Sequence, residues 1–97
     1  MAVSTLLSIV PSHTGHDLLC AMMDLSNPPQ NYDFTRIVFF RNDKEVARFE
    51  LGTAVSINPT LGIHLSDLAP GEVLAATWYD TGGRTGTAKT VYQGDSQ

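Results

Sequence analysis

The feature that most constrains this chain is a series of short apolar or β-branched runs, separated by residues that favour turns. About seven such runs recur at intervals of ~8–12 residues, and none has a helical period, which is typical of all-β domains. The pattern predicts an immunoglobulin-like antiparallel β-sandwich of about seven strands, with a small closed barrel as the alternative. The predicted strands cover residues 5–10, 17–25, 34–41, 44–51, 61–65, 73–80 and 85–92. The near-continuous apolar run at 17–25 would also suit a helix, but its nine residues between Gly15 and Pro28 favour a strand.

Two kinds of turn signal divide these strands. Asn42 and Asp43 tolerate positive φ, so they predict a tight hairpin between the third and fourth strands. Pro11 cannot donate a hydrogen bond to a ladder, and it is expected to end the first strand before a polar loop at residues 12–16.

Four residues are predicted to be structural anchors. Asn58 precedes Pro59, which favours extended backbone at a crossover corner. Trp78, the only tryptophan, lies on the apolar face of its strand and is expected in the core. Asp80 opens a Thr-Gly-Gly turn, where its carboxylate can accept a backbone N–H two residues on.

Composition limits the possible classes of protein. A chain of 97 residues forms one domain at most, expected over residues 1–97 with 93–97 as a frayed tail. The single cysteine excludes an internal disulfide. The net charge is −4 and the six basic residues are scattered singly, so neither nucleic acid nor an anionic membrane is an expected partner.

No arrangement of reactive residues stands out. His13 and His16 lie three residues apart, and a metal site would need a third and a fourth ligand, for which Asp17 and His64 are the candidates. Zinc sites have more organised ligand spacing, so a solvated loop is favoured. Cys20 lies inside an apolar run, which favours a buried, inert thiol over a thiol that faces a partner chain. We therefore predict no catalytic, cofactor-binding or metal-binding residues.

Three motifs occur in order along the chain: Asn-Asp-Lys-Glu-Val at 42–46, Val-Ser-Ile-Asn-Pro at 55–59 and Thr-Trp-Tyr-Asp-Thr-Gly-Gly at 77–83. In their order and spacing, residues 39–92 resemble SoxZ, one subunit of the thiosulfate-oxidation carrier complex SoxYZ. The family's Ser-His-Pro-Met-Glu-Thr-Gly loop after the second strand has a shorter counterpart here, at residues 25–30.

The resemblance implies an immunoglobulin-like, non-catalytic subunit without a cofactor. In the family this subunit forms a heterodimer with SoxY, whose C-terminal Gly-Gly-Cys-Gly arm carries sulfur intermediates covalently while other Sox enzymes act on them. This chain ends Gly-Asp-Ser-Gln, so it is expected to be the companion of a SoxY-like carrier and to self-associate without it.

The resemblance also implies a periplasmic location, reached by export with a signal-bearing partner, and the cytoplasm is the alternative. The first ten residues are apolar, but they have no basic flank and no cleavage site, so they are interpreted as a strand.

Surplus apolar residues are the candidates for the partner surface: Leu18, Cys20, Met22, Phe39 and Phe40. The alternative is that they form the domain's own core, because a sandwich of this size needs most of its apolar residues inside. Two other functions are open at this point. One is a free-standing immunoglobulin-like binding module, and the other is an enzyme that uses Cys20 or the histidines.

Overall fold

A computed structural model of the chain describes residues 3–24, 34–51 and 60–94. The strands are β1 (Val3–Ser12), β2 (Gly15–Asp24), β3 (Phe34–Arg41), β4 (Lys44–Glu50), β5 (Thr60–Leu65), β6 (Val73–Asp80) and β7 (Thr85–Val91). No helix long and apolar enough to cross a membrane occurs within these residues.

The strands form two antiparallel sheets, one ordered β1-β2-β5 and the other β4-β3-β6-β7. Hairpins join β1 to β2, β3 to β4 and β6 to β7, while the chain changes sheet between β2 and β3, β4 and β5, and β5 and β6. This arrangement confirms the predicted disulfide-free sandwich and is not a closed barrel. The predicted crossover corner at Asn58 and Pro59 lies outside the described residues.

The core lies between the sheets and follows from the two-residue period of the strands, which sends alternate side chains to the same face. Trp78 is 1% exposed, and its ring meets that of Phe34 edge to face, with 5.4 Å between centroids. The largest fully buried side chains are Trp78, Phe39, Leu18, Met22, Ile37, Leu74 and Cys20.

The first hairpin is tighter than the sequence suggests. Strand β1 continues through Pro11, which pairs with His16, so the predicted loop at 12–16 is wrong and only two residues connect the strands. Proline is tolerated because β1 is an edge strand, where one side of the backbone has no strand to bond.

The second hairpin confirms the predicted turn. Asn42 and Asp43 have φ angles of 53° and 65°, as a two-residue turn with positive φ at both positions requires. In the returning strand Phe39 pairs with Ala47 and Phe40 with Glu45, so Val46 is an extra residue in a β-bulge. The bulge explains why the alternation of apolar and polar residues in β4 fails at this position.

A polar cluster ties this hairpin to the start of β6. Arg41 donates two hydrogen bonds to the carboxylate of Glu72, from Nε at 2.8 Å and from an Nη at 2.9 Å. The Asn42 amide donates to Glu72 Oε1 at 3.1 Å, and its oxygen accepts from the backbone N–H of Val73 at 2.9 Å. The Arg41 hydrogen bonds, with one from the backbone N–H of Ala69, lower the pKa of Glu72 from 4.5 to about 2.

The β6–β7 turn is built around Asp80, which is 8% exposed. Its Oδ1 accepts backbone N–H bonds from Gly82 at 3.0 Å and from Arg84 at 2.8 Å, and its other oxygen pairs with the Arg84 guanidinium. The carboxylate thus binds the backbone of the turn that it opens.

Candidate partner surface

Four of the five residues predicted for a partner surface lie inside the folded domain. Leu18, Cys20 and Phe39 are 0% exposed and Met22 is 1% exposed, while Phe40 is half-buried. In the folded monomer these four side chains form the core, which is the alternative weighed for them above. These four side chains are therefore not exposed to a partner of the folded domain, whereas Phe40 stays a prediction.

The three-stranded sheet exposes large apolar side chains on its outer side. Because Leu18, Cys20 and Met22 point inward, the odd-numbered residues of β2 and their cross-strand neighbours on β1 point outward. Leu6 is 64%, Met23 50% and Val10 41% exposed. We define the apolar face as the outward residues Leu6, Val10, Leu19, Ala21 and Met23.

Gly62 extends the apolar face onto β5. It pairs with Leu19, and a Cβ placed at Gly62 would lie 2.5 Å from Cδ2 of that leucine. The side chain of Leu19 therefore lies over Gly62. A leucine methyl group occupies the position on β5 where the side chain of any other residue would lie. The outward side of the three strands therefore combines these apolar side chains with the hydroxyl groups of Ser4, Ser8 and Thr60.

Cations are segregated to the other sheet. None of the six lysines and arginines lies on β1, β2 or β5. The first of them in the chain is at position 36. The six are Arg36, Arg41, Lys44, Arg48, Arg84 and Lys89. The exposed edge strand β4 carries charges that discourage pairing with another chain, whereas β1 carries none.

One end of the apolar face is polar. Val10, Asp17 and His64 form one row across the three strands, and His64 Nδ1 lies 3.0 Å from Asp17 Oδ1. Thr14 Oγ1 lies 3.1 Å from His64 Nε2, and Ser12 Oγ lies 3.4 Å from Nδ1.

The order hydroxyl, imidazole, carboxylate is also that of serine hydrolases. Here, however, the His64 and Asp17 side chains are each 44% exposed, so water competes for these hydrogen bonds. We interpret the group as the hydrogen-bonded border of the apolar face.

The other predicted metal candidates lie nearby. His13 is exposed in the turn, whereas His16 is half-buried and its Nε2 lies 3.0 Å from the Tyr92 hydroxyl. Within the described ranges, no three His, Cys, Asp or Glu side chains come together in a group that could hold a metal ion.

A groove runs beside the free edge of β1. It has a volume of about 590 Å³ and lies between β1 and the end of β7, lined by Ile9, Pro11, Val91, Tyr92 and neighbouring residues of the last strand. Val91 is itself 48% exposed. Ile9 and Pro11 have the inward parity of β1, opposite to that of Leu6 and Val10, so the groove lies between the edges of the two sheets and is separate from the apolar face.

Cys20 does not offer a reactive thiol on this surface. It is 0% exposed, and burial raises the pKa of its thiol from 9.0 to about 11. The reactive form of cysteine is the thiolate, which this site disfavours.

Comparison with protein families decides the affiliation of the chain. The family model of the sulphur oxidation protein SoxZ matches residues 22–91. This chain belongs to the SoxZ family. A comparison with curated proteins found no match. Membership of the family implies a role in sulfur oxidation, and it confirms the resemblance seen in the sequence motifs.

The family match begins at Met22, after β1 and most of β2. Most residues of the apolar face precede the matched range, so the face is identified from the structure of this chain and not from the family match. Two sequence signals could have located it. One is that strands β1 and β2 are apolar at both odd and even positions, as in Leu6-Leu7 and Leu18-Leu19. The other is the lack of any lysine or arginine before Arg36.

Proposed function

We propose that this chain is the non-catalytic companion subunit of a heterodimer, in which a SoxY-like partner carries sulfur intermediates on a cysteine near its C terminus. The observation that carries the proposal is the state of Cys20 in a member of a sulfur-oxidation family. A covalent sulfur carrier needs an accessible thiolate, and the only cysteine of this chain is buried with a pKa of about 11. The cysteine that holds the sulfur then belongs to another protein.

The work of such a subunit is to bind and orient the carrier while other Sox enzymes act on its sulfur. A rigid sandwich with one apolar, cation-free sheet suits that role, because specific interfaces have apolar centres that are depleted of charged side chains. The proposed location is the periplasm, with export alongside the partner, and fractionation of cells that express both proteins tests it.

The experiment is co-expression of this chain with the SoxY-like protein of the same genome, with an affinity tag on this chain. A 1:1 complex is expected on size exclusion and in native mass spectrometry. After exposure to thiosulfate and the Sox enzymes, mass spectrometry is expected to find the sulfur adduct on the partner only. The matched control is a partner whose C-terminal cysteine is replaced by alanine, which should still bind but carry no adduct.

Two results would contradict this function. One is a sulfur adduct on Cys20, which would make this chain the carrier. The other is a strictly monomeric chain that ignores the SoxY-like protein, which would favour a free-standing immunoglobulin-like binding module. The exposed apolar face is the observation that favours a binding module as the second candidate function, because it could bind a protein other than the carrier.

A further inference from the structure

We infer that the carrier partner docks a sheet of its own on the apolar face of β1, β2 and β5, and that Asp17 and His64 at its polar end receive a basic side chain of the partner. This inference rests on the proposed function and adds the surface and the chemistry that the surface selects. The exposed apolar area, the size of the face and its charges each support it.

The first support is the exposed apolar area itself. Leu6 and Met23 are at least half exposed, and they lie on neighbouring strands of one sheet. Contiguous exposed apolar surface marks interaction sites, because removing it from water is favourable by roughly 25 cal/mol per Å². Covering this face with a second apolar sheet would leave no polar backbone unpaired, since the hydrogen bonds of a sheet lie in its plane.

The second support is size. The ten residues of β2 span ~33 Å at ~3.3 Å per residue, and three strands spaced ~4.8 Å apart are ~14 Å wide. Since β5 has only six residues and β1 and β2 have ten each, the flat footprint of the sheet is roughly 410 Å², about half of the ~800 Å² that each partner contributes to a standard interface.

The third support is charge, which also identifies the occupant. The carboxylate of Asp17 has one oxygen bonded to His64, and its second oxygen needs a donor once water is excluded. A second copy of this chain, docked through the same face, would bring no lysine or arginine to that point, because the three strands contain none. A different chain with a basic residue at the rim of an apolar sheet fits the face.

The four-stranded sheet differs in charge. It carries the ion pairs Arg36–Glu50 and Arg48–Glu45, whose side chains are all more than 40% exposed. These ion pairs are hydrated, and docking a partner on them would require removing that water at a cost in free energy. This sheet therefore supplies a matched control surface, with Val46 at 44% exposure as its test position.

The experiment measures the dissociation constant of the complex with the SoxY-like protein for Leu6→Glu, Met23→Glu, Asp17→Asn and the control Val46→Glu. The two apolar-face glutamates are expected to weaken binding at least tenfold and the control less than twofold. Asp17→Asn is expected to weaken it three- to tenfold at low salt, and less at high salt because charge pairing is screened. Urea unfolding of each free variant checks that the fold is intact; should Leu6→Glu unfold, Leu6→Ala replaces it, with an expected three- to tenfold loss.

The outcomes separate the two proposals. If the unmodified chain forms no complex with the SoxY-like protein, the proposed function fails. If it forms the complex, and the Leu6 and Met23 variants bind as tightly as the unmodified chain, the docking surface is wrong while the function stands. If the free chain forms a dimer that Leu6→Glu dissociates while the heterocomplex is unaffected, the face serves a second copy, and the inference is again overturned.

Discussion

The indole ring of Trp78 occupies the space where a side chain of residue 86 would lie. The two residues are opposite each other in the β6–β7 pair, and a Cβ on Gly86 would come within 2.7 Å of Nε1 and 2.8 Å of Cε2 and Cζ2. The ring is buried and β6 is a central strand of its sheet, so the ring cannot move without disturbing the core.

We therefore expect Gly86→Ala to lower the free energy of unfolding by about 1–3 kcal/mol, the usual cost of overpacking a core. Urea unfolding followed by tryptophan fluorescence measures it, and Lys89→Ala on the exposed side of the same strand is the control. An unchanged midpoint for Gly86→Ala would contradict this position of the ring.

Removing the ring itself should be more costly. Trp78→Ala is expected to destabilise the domain by about 3–5 kcal/mol, because it deletes a buried large aromatic side chain and leaves Phe34 without its edge-to-face neighbour. Circular dichroism in urea measures the change. The next residue, Tyr79, is 39% exposed and provides Tyr79→Ala as a control that should lose much less. Coincident melts of Trp78→Ala and the unmodified chain would place Trp78 outside the core.

The cluster around Glu72 predicts a defined dependence on pH. Its pKa is lowered from 4.5 to about 2 in the folded state, so the unfolded chain binds more protons between these values, and stability rises with pH across that window. The stabilisation is present above about pH 4.5 and is lost as the pH falls through about 2. Glu72→Gln lacks the titrating group and should not show this loss.

Urea midpoints of Glu72→Gln and the unmodified chain should differ most above pH 5 and converge towards pH 2. Glu50→Gln is the control, because the pair that Glu50 forms with Arg36 is exposed and its removal should change the midpoint little at any pH. A gap between Glu72→Gln and the unmodified chain that stays constant down to pH 2 would show that the Arg41 contact does not lower the pKa of Glu72.

Cys20 should be almost unreactive in the folded protein. With a pKa of about 11 instead of 9.0, the buried thiol has roughly a hundredfold less thiolate at pH 8, and reagents must also wait for the sandwich to open. A maleimide is expected to label it slowly in buffer and rapidly in denaturing urea, with the urea sample as the control. Labelling at equal rates in both conditions would mean that the thiol is accessible in the native fold.

Much of the architecture could be predicted because it depends on local patterns. Alternation identified the buried side of β6, and the positive φ tolerated by Asn42 and Asp43 identified the second hairpin. Pro11 misled the prediction, since a strand can accept proline on its free edge and the sequence alone does not say which strands are edges.

The partner surface was harder to predict for a physical reason. Strand β2 is apolar at both parities, so its composition does not distinguish the inward Leu18 from the outward Leu19. Only the packing of the second sheet decides this, and that packing is non-local. The same holds for the contact between Arg41 and Glu72, which are 31 positions apart and meet because β3 and β6 are neighbours.

Asn42 meets two independent structural requirements, one on its backbone and one on its side chain. Its backbone needs a residue that tolerates positive φ, and glycine would satisfy that need at least as well. Its side chain also bridges Glu72 and the first amide of β6, which glycine cannot do. Few residue types meet both demands, and among them asparagine combines an amide donor, an acceptor and left-handed backbone. Homologues that keep this bridge should therefore keep asparagine at this position.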